Sequence, residues 1–428
     1  MTGRRVVVTG MGVVAPNGIG LDAFDAALRA GRSGIRQIPK LAELGFGCTV
    51  AGVPEGADAI AEAYFAGDLL LAMNANHRYG SIAAVDAWTD AGFARPDRAD
   101  EHVYWEAGAV IGTGVGGLDT VGERLVPMTD AGKVRRLGST IVEQVMGSGV
   151  SARVSGLLAL GNQVSSNSSA CSTGTEAIID GALRIRHGLA ERMLCGGSEG
   201  HSHYSWAGFD AMRVLSRQFN DQPERASRPM SASAGGFVPA GGAGVLHLES
   251  LESATKRGAR IHAELLGGAL NCGGHRGGGS MTAPNPESVR RCIRAAIADA
   301  GVDPREVDAI SGHLTATGAD PNEVEAWASA LERTPDRLPP ITSTKSLIGH
   351  ALGAAGAIES VACVQMLRGG YVHPSLNCED VHPRIAPFAG SIPHELRPLP
   401  GLRTIIKASF GFGDVNACVV YRKWTGGR

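Results

Sequence analysis

The sequence predicts an α/β protein built in layers, and three observations carry that expectation. Short β-branched runs alternate with longer amphipathic stretches. Several of those runs enter glycine-rich turns directly, as in VVVTGMG, AVIGTGVGG and KASFGFGD. Glycine contributes 60 of 428 residues in a chain that is 43% hydrophobic but only 5% aromatic. That composition describes a packed interior of aliphatic and small side chains with many tight turns, and it excludes low-complexity disorder.

In chain order, strands are expected at Val6 to Val8, Ala109 to Ile111, Met193 to Cys195, Gly244 to Leu248, Val307 to Ile310, Ile405 to Ala408 and Ala417 to Tyr421. Each is a short apolar run bounded by glycine or polar residues. Helices are expected at Asp22 to Ala30, Ser139 to Met146, Ser172 to Arg186, Ser250 to Arg257, Ser288 to Ala300, Asp320 to Leu331 and Ile358 to Leu367, where apolar residues recur at helical spacing. No Pro/Ser/Gly linker divides the chain, and GGHRGGGS (Gly273 to Ser280) reads as a mobile surface loop. NSSACSTGTEAIIDGALRIRHG and GHALGAAGAIESVACVQMLRGG echo one another: each passes from a small-residue turn into an apolar-faced helix closed by a basic residue and glycine.

With 40 Lys plus Arg against 42 Asp plus Glu, the net charge is -2, which gives no reason to expect nucleic acid or an anionic membrane as partner. The eight cysteines are scattered without a C-x-x-C pair, so neither a disulfide framework nor a zinc site is expected. No window approaches eighteen unbroken apolar residues and nothing at the start resembles a cleavage site. An unprocessed, soluble, cytoplasmic protein is the expectation.

Gly112 to Gly117 satisfies G-x-G-x-x-G after a strand, but no βαβ continuation follows, so dinucleotide binding is disfavoured. His201 and His203, without a third ligand nearby, read as a polar loop. Cys171 stands among small residues immediately before a helical pattern, where orphan N–H donors and the helix dipole favour thiolate. SGHLTATGADPNE carries His313, Thr315, Thr317, Asp320 and Glu323; STKSLIGHALGAAGAIE carries Lys345, His350 and Glu359. A nucleophile, two imidazoles, an ammonium and carboxylates together describe acyl transfer with charge stabilisation.

These motifs, in order with RRVVVTGMGVVAPNGIG, FDAMRVLSRQFNDQPERASRP, GGFVPAGGAGVLHLE and SFGFGDVNA, make nearly the whole chain resemble the β-ketoacyl-acyl-carrier-protein synthases of fatty acid and polyketide assembly. It looks closest to the Cys-His-His elongating synthases. The resemblance implies a thiolase-like fold: two similar halves, residues 1–250 and 251–428, forming a five-layered α-β-α-β-α core. It implies Cys171 as nucleophile, and His313 and His350 as stabilisers of the charge that develops on decarboxylation. The Cys171 and Phe412 N–H groups would be the oxyanion hole, with Phe412 also a gate. Lys345, Asp320, Glu323 and Glu359 would be a buried charge network, Thr315 and Thr317 would hold the phosphopantetheine arm, and Val115 and Phe209 would line the acyl pocket. No tightly bound cofactor or metal is implied. The partners implied are an acyl carrier protein and a second copy of the chain, or a chain-length partner in a heterodimer.

Departures from the family pattern bear on this expectation. Leu314 replaces the glycine after the first histidine, and the stretch up to Asp320 is one residue short. Ser231 to Phe237 (SASAGGF) lacks the usual acidic and basic residues, which predicts lost ion pairs. Asp414 and Val415 stand where Gly and Thr are common, and GDLLLAMNANHRYG lacks the usual basic docking cluster, leaving Lys133, Arg135 and Arg136 as substitutes. These changes point to a specialised pigment, polyene or polyketide synthase as readily as to a fatty acid enzyme. Retention of Cys171, His313, Lys345 and His350 argues against a non-catalytic chain-length partner. The absence of a second C-terminal cysteine motif argues against a degradative thiolase.

Overall fold

Two arrays of five strands organise the protein, seen in a computed structural model that describes residues 3–426. Residues 1–2 and 427–428, at the outer ends of the two expected halves, lie outside the described residues. The first array contains Val6–Ala15 (β1), Ala107–Gly112 (β2), Val164–Ser165 (β3), Arg192–Glu199 (β4) and Gly242–Ser250 (β5), in the order β3-β2-β4-β5-β1. The second contains Ala263–Cys272 (β6), Ala309–Ser311 (β7), Ile341–Thr342 (β8), Thr404–Gly411 (β9) and Val415–Lys423 (β10), in the order β8-β7-β9-β10-β6. In each array the first two pairings are parallel and the last two antiparallel. The arrays are stitched edge to edge, with Val6, Val7 and Val8 of β1 opposite Leu265, Glu264 and Ala263 of β6.

Helices complete five layers. Ala75–Asp90 (α1) and Gly149–Leu158 (α2) cover the outer face of the first array; Pro286–Asp299 (α4) and Asp320–Ala330 (α5) cover that of the second. Between the arrays lie Thr173–Arg186 (α3) and Ala355–Gly369 (α6), which pack on each other and on strands of both. These are the helices of the two echoing motifs. Every residue of α6 from Ala355 to Leu367 is buried, as a helix sandwiched between two sheets requires. Gly370 ends it in the left-handed conformation (φ 65°).

Several elements escaped the sequence reading, among them α2, β3 and β8, and for two others the physical reason is plain. The α1 sequence, ANHRYGSIAAVDAWTD, is buried on most of its circumference, so no amphipathic period marks it. The strand β6 contains Gly267-Gly268, which reads as a turn. A Cβ at Gly267 would lie 2.5 Å from the Ala300 nitrogen, so the glycine admits the end of α4 against the strand. The helix expected over Ser139 to Met146 is reduced to Ile141–Val145. No helix among the described residues is long and apolar enough to cross a membrane.

Candidate active site

The strand and helix ends of both arrays meet around one cavity of about 490 Å³. Cys171, His313, His350, Thr315, Thr317, Phe209 and Phe412 all line it. Val115 does not; it is 37% exposed, so in a single chain it stands outside the pocket it was expected to line.

Cys171 lies in the turn Ala170–Ser172 that leads into α3, after Ala170 in a left-handed backbone (φ 50°). Ser172 anchors the turn to the β9–β10 hairpin, its hydroxyl donating to the carbonyls of Ser409 (3.2 Å) and Val415 (3.0 Å). Gly411 is needed there: a Cβ would sit 3.0 Å from the Ser169 carbonyl oxygen and 3.1 Å from the Cys171 nitrogen. That close approach brings the Phe412 N–H to the Cys171 sulfur. The thiol is nevertheless pushed up to about 11, because burial outweighs the Lys345 ammonium and the Phe412 amide. The resting sulfur is therefore a thiol, which corrects the expectation of a thiolate at a helix N-terminus.

His350 Nε2 lies 3.1 Å from Cys171 Sγ. The tautomer follows from the other nitrogen: Nδ1 accepts the Leu352 N–H at 3.2 Å, so in the neutral ring Nε2 carries the hydrogen and donates to sulfur. Leu352 holds that amide in place with a left-handed backbone, φ 46°. The His313 ring stands at 81° to His350 with centroids 5.5 Å apart. Among the described residues nothing bonds to its ring, and its buried Nδ1 has no partner. Both imidazoles are held well below the ordinary histidine value, first by burial and then by the Lys345 ammonium, so both are neutral near pH 7.

The expected charge network divides in two. Lys345 pairs with Glu359 and donates to the His313 carbonyl oxygen at 2.7 Å. Glu359 also takes Lys407 at 3.1 Å, and Lys407 donates to Thr175 Oγ1 at 2.8 Å. Asp320 and Glu323 instead clasp the backbone around His313. Glu323 accepts the N–H groups of His313 (2.6 Å) and Leu314 (2.8 Å) and the Trp327 indole (3.2 Å). Asp320 accepts those of Thr315 (2.9 Å), Ala316 (3.0 Å) and Met230 (2.8 Å). Burial raises both carboxyls, Glu323 to about 7. Held this way, Leu314 keeps a positive φ of 26° and is fully buried. The Thr315 and Thr317 hydroxyls lie 3.0 Å apart on the cavity wall.

Sequence reasoning missed two buried charges. Lys407, in TIIKASF, is a lone cation in an apolar strand, which is itself a signal. Glu199, closing the apolar strand β4, is buried and accepts the N–H groups of Gly114 (2.8 Å), Val115 (3.0 Å) and Gly353 (3.0 Å). It thereby joins the glycine loop after β2 to the loop after His350. Two of the amides in the G-x-G-x-x-G loop, those of Gly114 and Val115, are occupied by this carboxylate, in keeping with the disfavoured dinucleotide reading. The ion pairs expected to be lost near Ser231 are rebuilt: Arg228 pairs with Glu379 (2.7 Å) and Asp380 (3.1 Å), and Asp380 binds Ser231 and the Ser233 N–H. Lys133, Arg135 and Arg136 are exposed along one shallow depression. His201 bonds the Tyr79 hydroxyl, and neither it nor His203 lines the cavity.

The sulfur of Cys171 and one ring nitrogen each of His313 and His350 lie within 4.8 Å of one another. That is a three-ligand donor set for a soft cation, but the ammonium groups of Lys345 and Lys407, whose charge already opposes protonation of both rings, oppose a bound cation equally. The arrangement suits a neutral, anion-stabilising pocket: one thiol, one imidazole with a fixed N–H, and one with both nitrogens free.

Comparison with known proteins agrees in fold and in family. Residues 3–254 match the family described as beta-ketoacyl synthase, N-terminal domain, and residues 262–379 the beta-ketoacyl synthase, C-terminal domain. The chain is 36% identical to 3-oxoacyl-[acyl-carrier-protein] synthase I, chloroplastic, of Arabidopsis thaliana, over 98% of this chain and 86% of that protein. It is 34% identical to 3-oxoacyl-[acyl-carrier-protein] synthase 2 of Rhizobium meliloti, over 99% of this chain and 100% of that one. Among solved structures, a beta-ketoacyl synthase from Burkholderia phymatum superposes with a TM-score of 0.89 at 31% identity, covering 99% of this chain and 100% of that chain. A type II polyketide ketosynthase, solved with its acyl-carrier protein and bound to the hexaketide, superposes with a TM-score of 0.87 at 31% identity and the same coverage.

Proposed function

The chain belongs to the β-ketoacyl synthase family, the acyltransferase-class condensing enzymes, and from that premise we propose how its own residues carry out a decarboxylative Claisen condensation between a Cys171-bound acyl chain and malonyl carrier protein. The observation that carries the assignment is the Cys171–His350 contact, with its tautomer fixed, in the same cavity as the unengaged His313 ring.

In the first half-reaction the Cys171 sulfur attacks an acyl thioester borne on phosphopantetheine. The carbonyl oxygen collects charge against the Cys171 and Phe412 N–H groups, and the thiol proton leaves with the pantetheine sulfur. Malonyl carrier protein then enters past Phe412, its arm held by Thr315 and Thr317. The malonyl carboxylate departs as CO2 and its electron pair moves into an enolate, which neutral imidazole N–H groups at His350 and His313 stabilise without protonating. Lowered basicity suits this donor role, since an imidazolium would quench the carbanion. The enolate carbon attacks the acyl carbonyl, the tetrahedral intermediate expels the Cys171 thiolate, and the thiolate is received by the His350 Nε2–H hydrogen bond and takes up one proton from solvent to restore the thiol. Lys345, Glu359 and Lys407 position the His313 carbonyl and the central helices, while Asp320 and Glu323 shape the His313 loop.

The reading includes two halves, residues 1–250 and 251–428, each contributing one side of the pocket, and a homodimer in which the partner covers Val115. It also includes carrier docking on Lys133, Arg135 and Arg136, and a cytoplasmic location that eight free cysteines suit. A second reading is a specialised polyketide, polyene or pigment synthase. The likeness to the type II polyketide ketosynthase and the departures at Leu314, Ser231 and Asp414 favour it.

The test is reconstitution with malonyl carrier protein and a mixture of saturated and polyenoyl carrier thioesters, followed by mass spectrometry of the products. A β-ketoacyl carrier two carbons longer is expected, and the preferred donor separates the two readings. Cys171→Gln should abolish condensation while malonyl decarboxylation persists; condensation retained by this variant would sink the proposal.

A further inference from the structure

Asp414 is fully buried with no cation among its hydrogen-bond partners. Its carboxylate accepts the N–H groups of Asn285 (2.8 Å) and His275 (3.2 Å) and the Ser288 hydroxyl (3.3 Å). All three donors belong to the segment that runs from the GGHRGGGS loop into α4. Two backbone bonds join the same two segments, one in each direction: the Gly413 N–H donates to the Met281 carbonyl at 2.8 Å, and the Gly273 N–H to that of Asp414 at 3.1 Å. The His275 ring adds a bond from Nε2 to the Gly413 carbonyl at 3.1 Å.

Glycine is required on the loop side. A Cβ at Gly273 would fall 2.1 Å from Asp414 Oδ2, and one at Gly279 2.5 Å from it. The loop is therefore wrapped around the carboxylate. The segment also lines the cavity, through Gly278, Thr282, Ala283 and Pro284, together with Thr315 and Thr317.

We propose that Asp414 is a positioning residue that latches the Gly273 to Asn285 segment onto the Phe412 turn, and so sets the entrance by which the carrier-borne malonyl thioester reaches Cys171. The proposal rests on the condensation reading above. A buried carboxylate that binds only amides and a hydroxyl stays in place only while those donors surround it. Removing either side frees one entrance wall and leaves the Cys171–His350 contact untouched.

Two full-length variants break the latch from opposite sides: Asp414→Gly removes the carboxylate and Gly273→Ala crowds it. In each, KM for malonyl carrier protein should rise by roughly fivefold or more while kcat stays within about twofold. Trypsin cleavage after the exposed Arg276 should accelerate about tenfold, and iodoacetamide alkylation of Cys171 should be unchanged. In the double variant the effects should not multiply, because both act on one contact. Folded variants with unchanged cleavage and unchanged KM, or losses that multiply in the double variant, would overturn the latch. If Asp414→Gly does not fold, Gly273→Ala decides by the same two readouts. If the wild-type enzyme does not condense, the condensation reading fails, while the cleavage and alkylation arms still judge the latch.

Discussion

The two histidines of the pocket are neighbours in space and opposites in construction. His350 sits on a loop in which both ring nitrogens are engaged, one by the Leu352 amide and one by the Cys171 sulfur. His313 sits on a loop whose backbone is held by Glu323 and Asp320 through strained positions, φ 26° at Leu314 and 61° at Ala316, while its ring bonds to nothing among the described residues. A fixed tautomer suits a group that presents the same N–H donor in both half-reactions. A free ring suits a group whose partner arrives with the second substrate. The contrast teaches that backbone can be over-determined around a side chain left unengaged, and it fits the proposed roles: His350 acting in both half-reactions and His313 in the second alone.

The sharpest way to break that contrast is to remove each ring. His350→Ala should slow both Cys171 acylation and condensation, by about 10²–10⁴-fold in condensation, whereas His313→Ala should cut condensation similarly but leave acylation within about fivefold. Intact-protein mass spectrometry follows the first step and product release the second. Equal effects of the two variants on acylation would remove the distinction.

Next in size is the shared support. Lys345→Met leaves Glu359 with one of its two cations and frees the His313 carbonyl, and a loss of about 3–5 kcal/mol in urea unfolding is expected. A smaller effect is expected at Leu314. Leu314→Gly removes a buried side chain, which costs about 2–5 kcal/mol, but relieves a strained φ worth about 1–3 kcal/mol. A net loss of about 1–3 kcal/mol in the same assay is expected; a stabilised variant would show that strain dominates.

Smallest is the response to acid. The depressed histidines stay neutral below the ordinary value of 6.5, so a fall in condensation between pH 7.5 and 6.5 should come from Glu323, raised to about 7 beside the His313 backbone, and be lost in Glu323→Gln. The same sign governs stability. His77 and His373, both lowered to about 4 by burial, bind protons in the unfolded chain before they do in the folded one. Stability from these groups is therefore present above pH 6.5 and lost as pH falls toward 4. Unfolding midpoints across that window check it.

Much of this architecture is legible in the residues. The alternating β-branched and amphipathic runs, and the two echoing turn-to-helix motifs, point to the layered fold and to the helices α3 and α6 at its centre. Cys171, His313, Lys345 and His350 stand in motifs whose chemistry is plain before any fold is known. What stays hidden depends on three-dimensional closeness. Glu199 reads as a strand-end acid until Gly114, Val115 and Gly353 are seen around it. Asp320 and Glu323 read as partners for Lys345, although the backbone donors they meet are amides four to ten residues upstream and, for Asp320, the distant Met230 amide as well. Ser231 to Phe237 reads as a lost ion pair because Asp380, which restores it, lies far along the chain. The Cys171 thiol illustrates a competition of magnitudes: the helix start is visible in the sequence, but the burial that outweighs it belongs to the fold.

The central claim is that Cys171 is the acyl carrier of the reaction, held beside a neutral His350. It is tested most directly by digesting the enzyme after exposure to an acyl carrier thioester without malonyl donor and locating the adduct by mass spectrometry. The account predicts one acyl group on the peptide containing Cys171, discharged when malonyl carrier protein is added. An unmodified Cys171, or an adduct on another cysteine that discharges in its place, would contradict it.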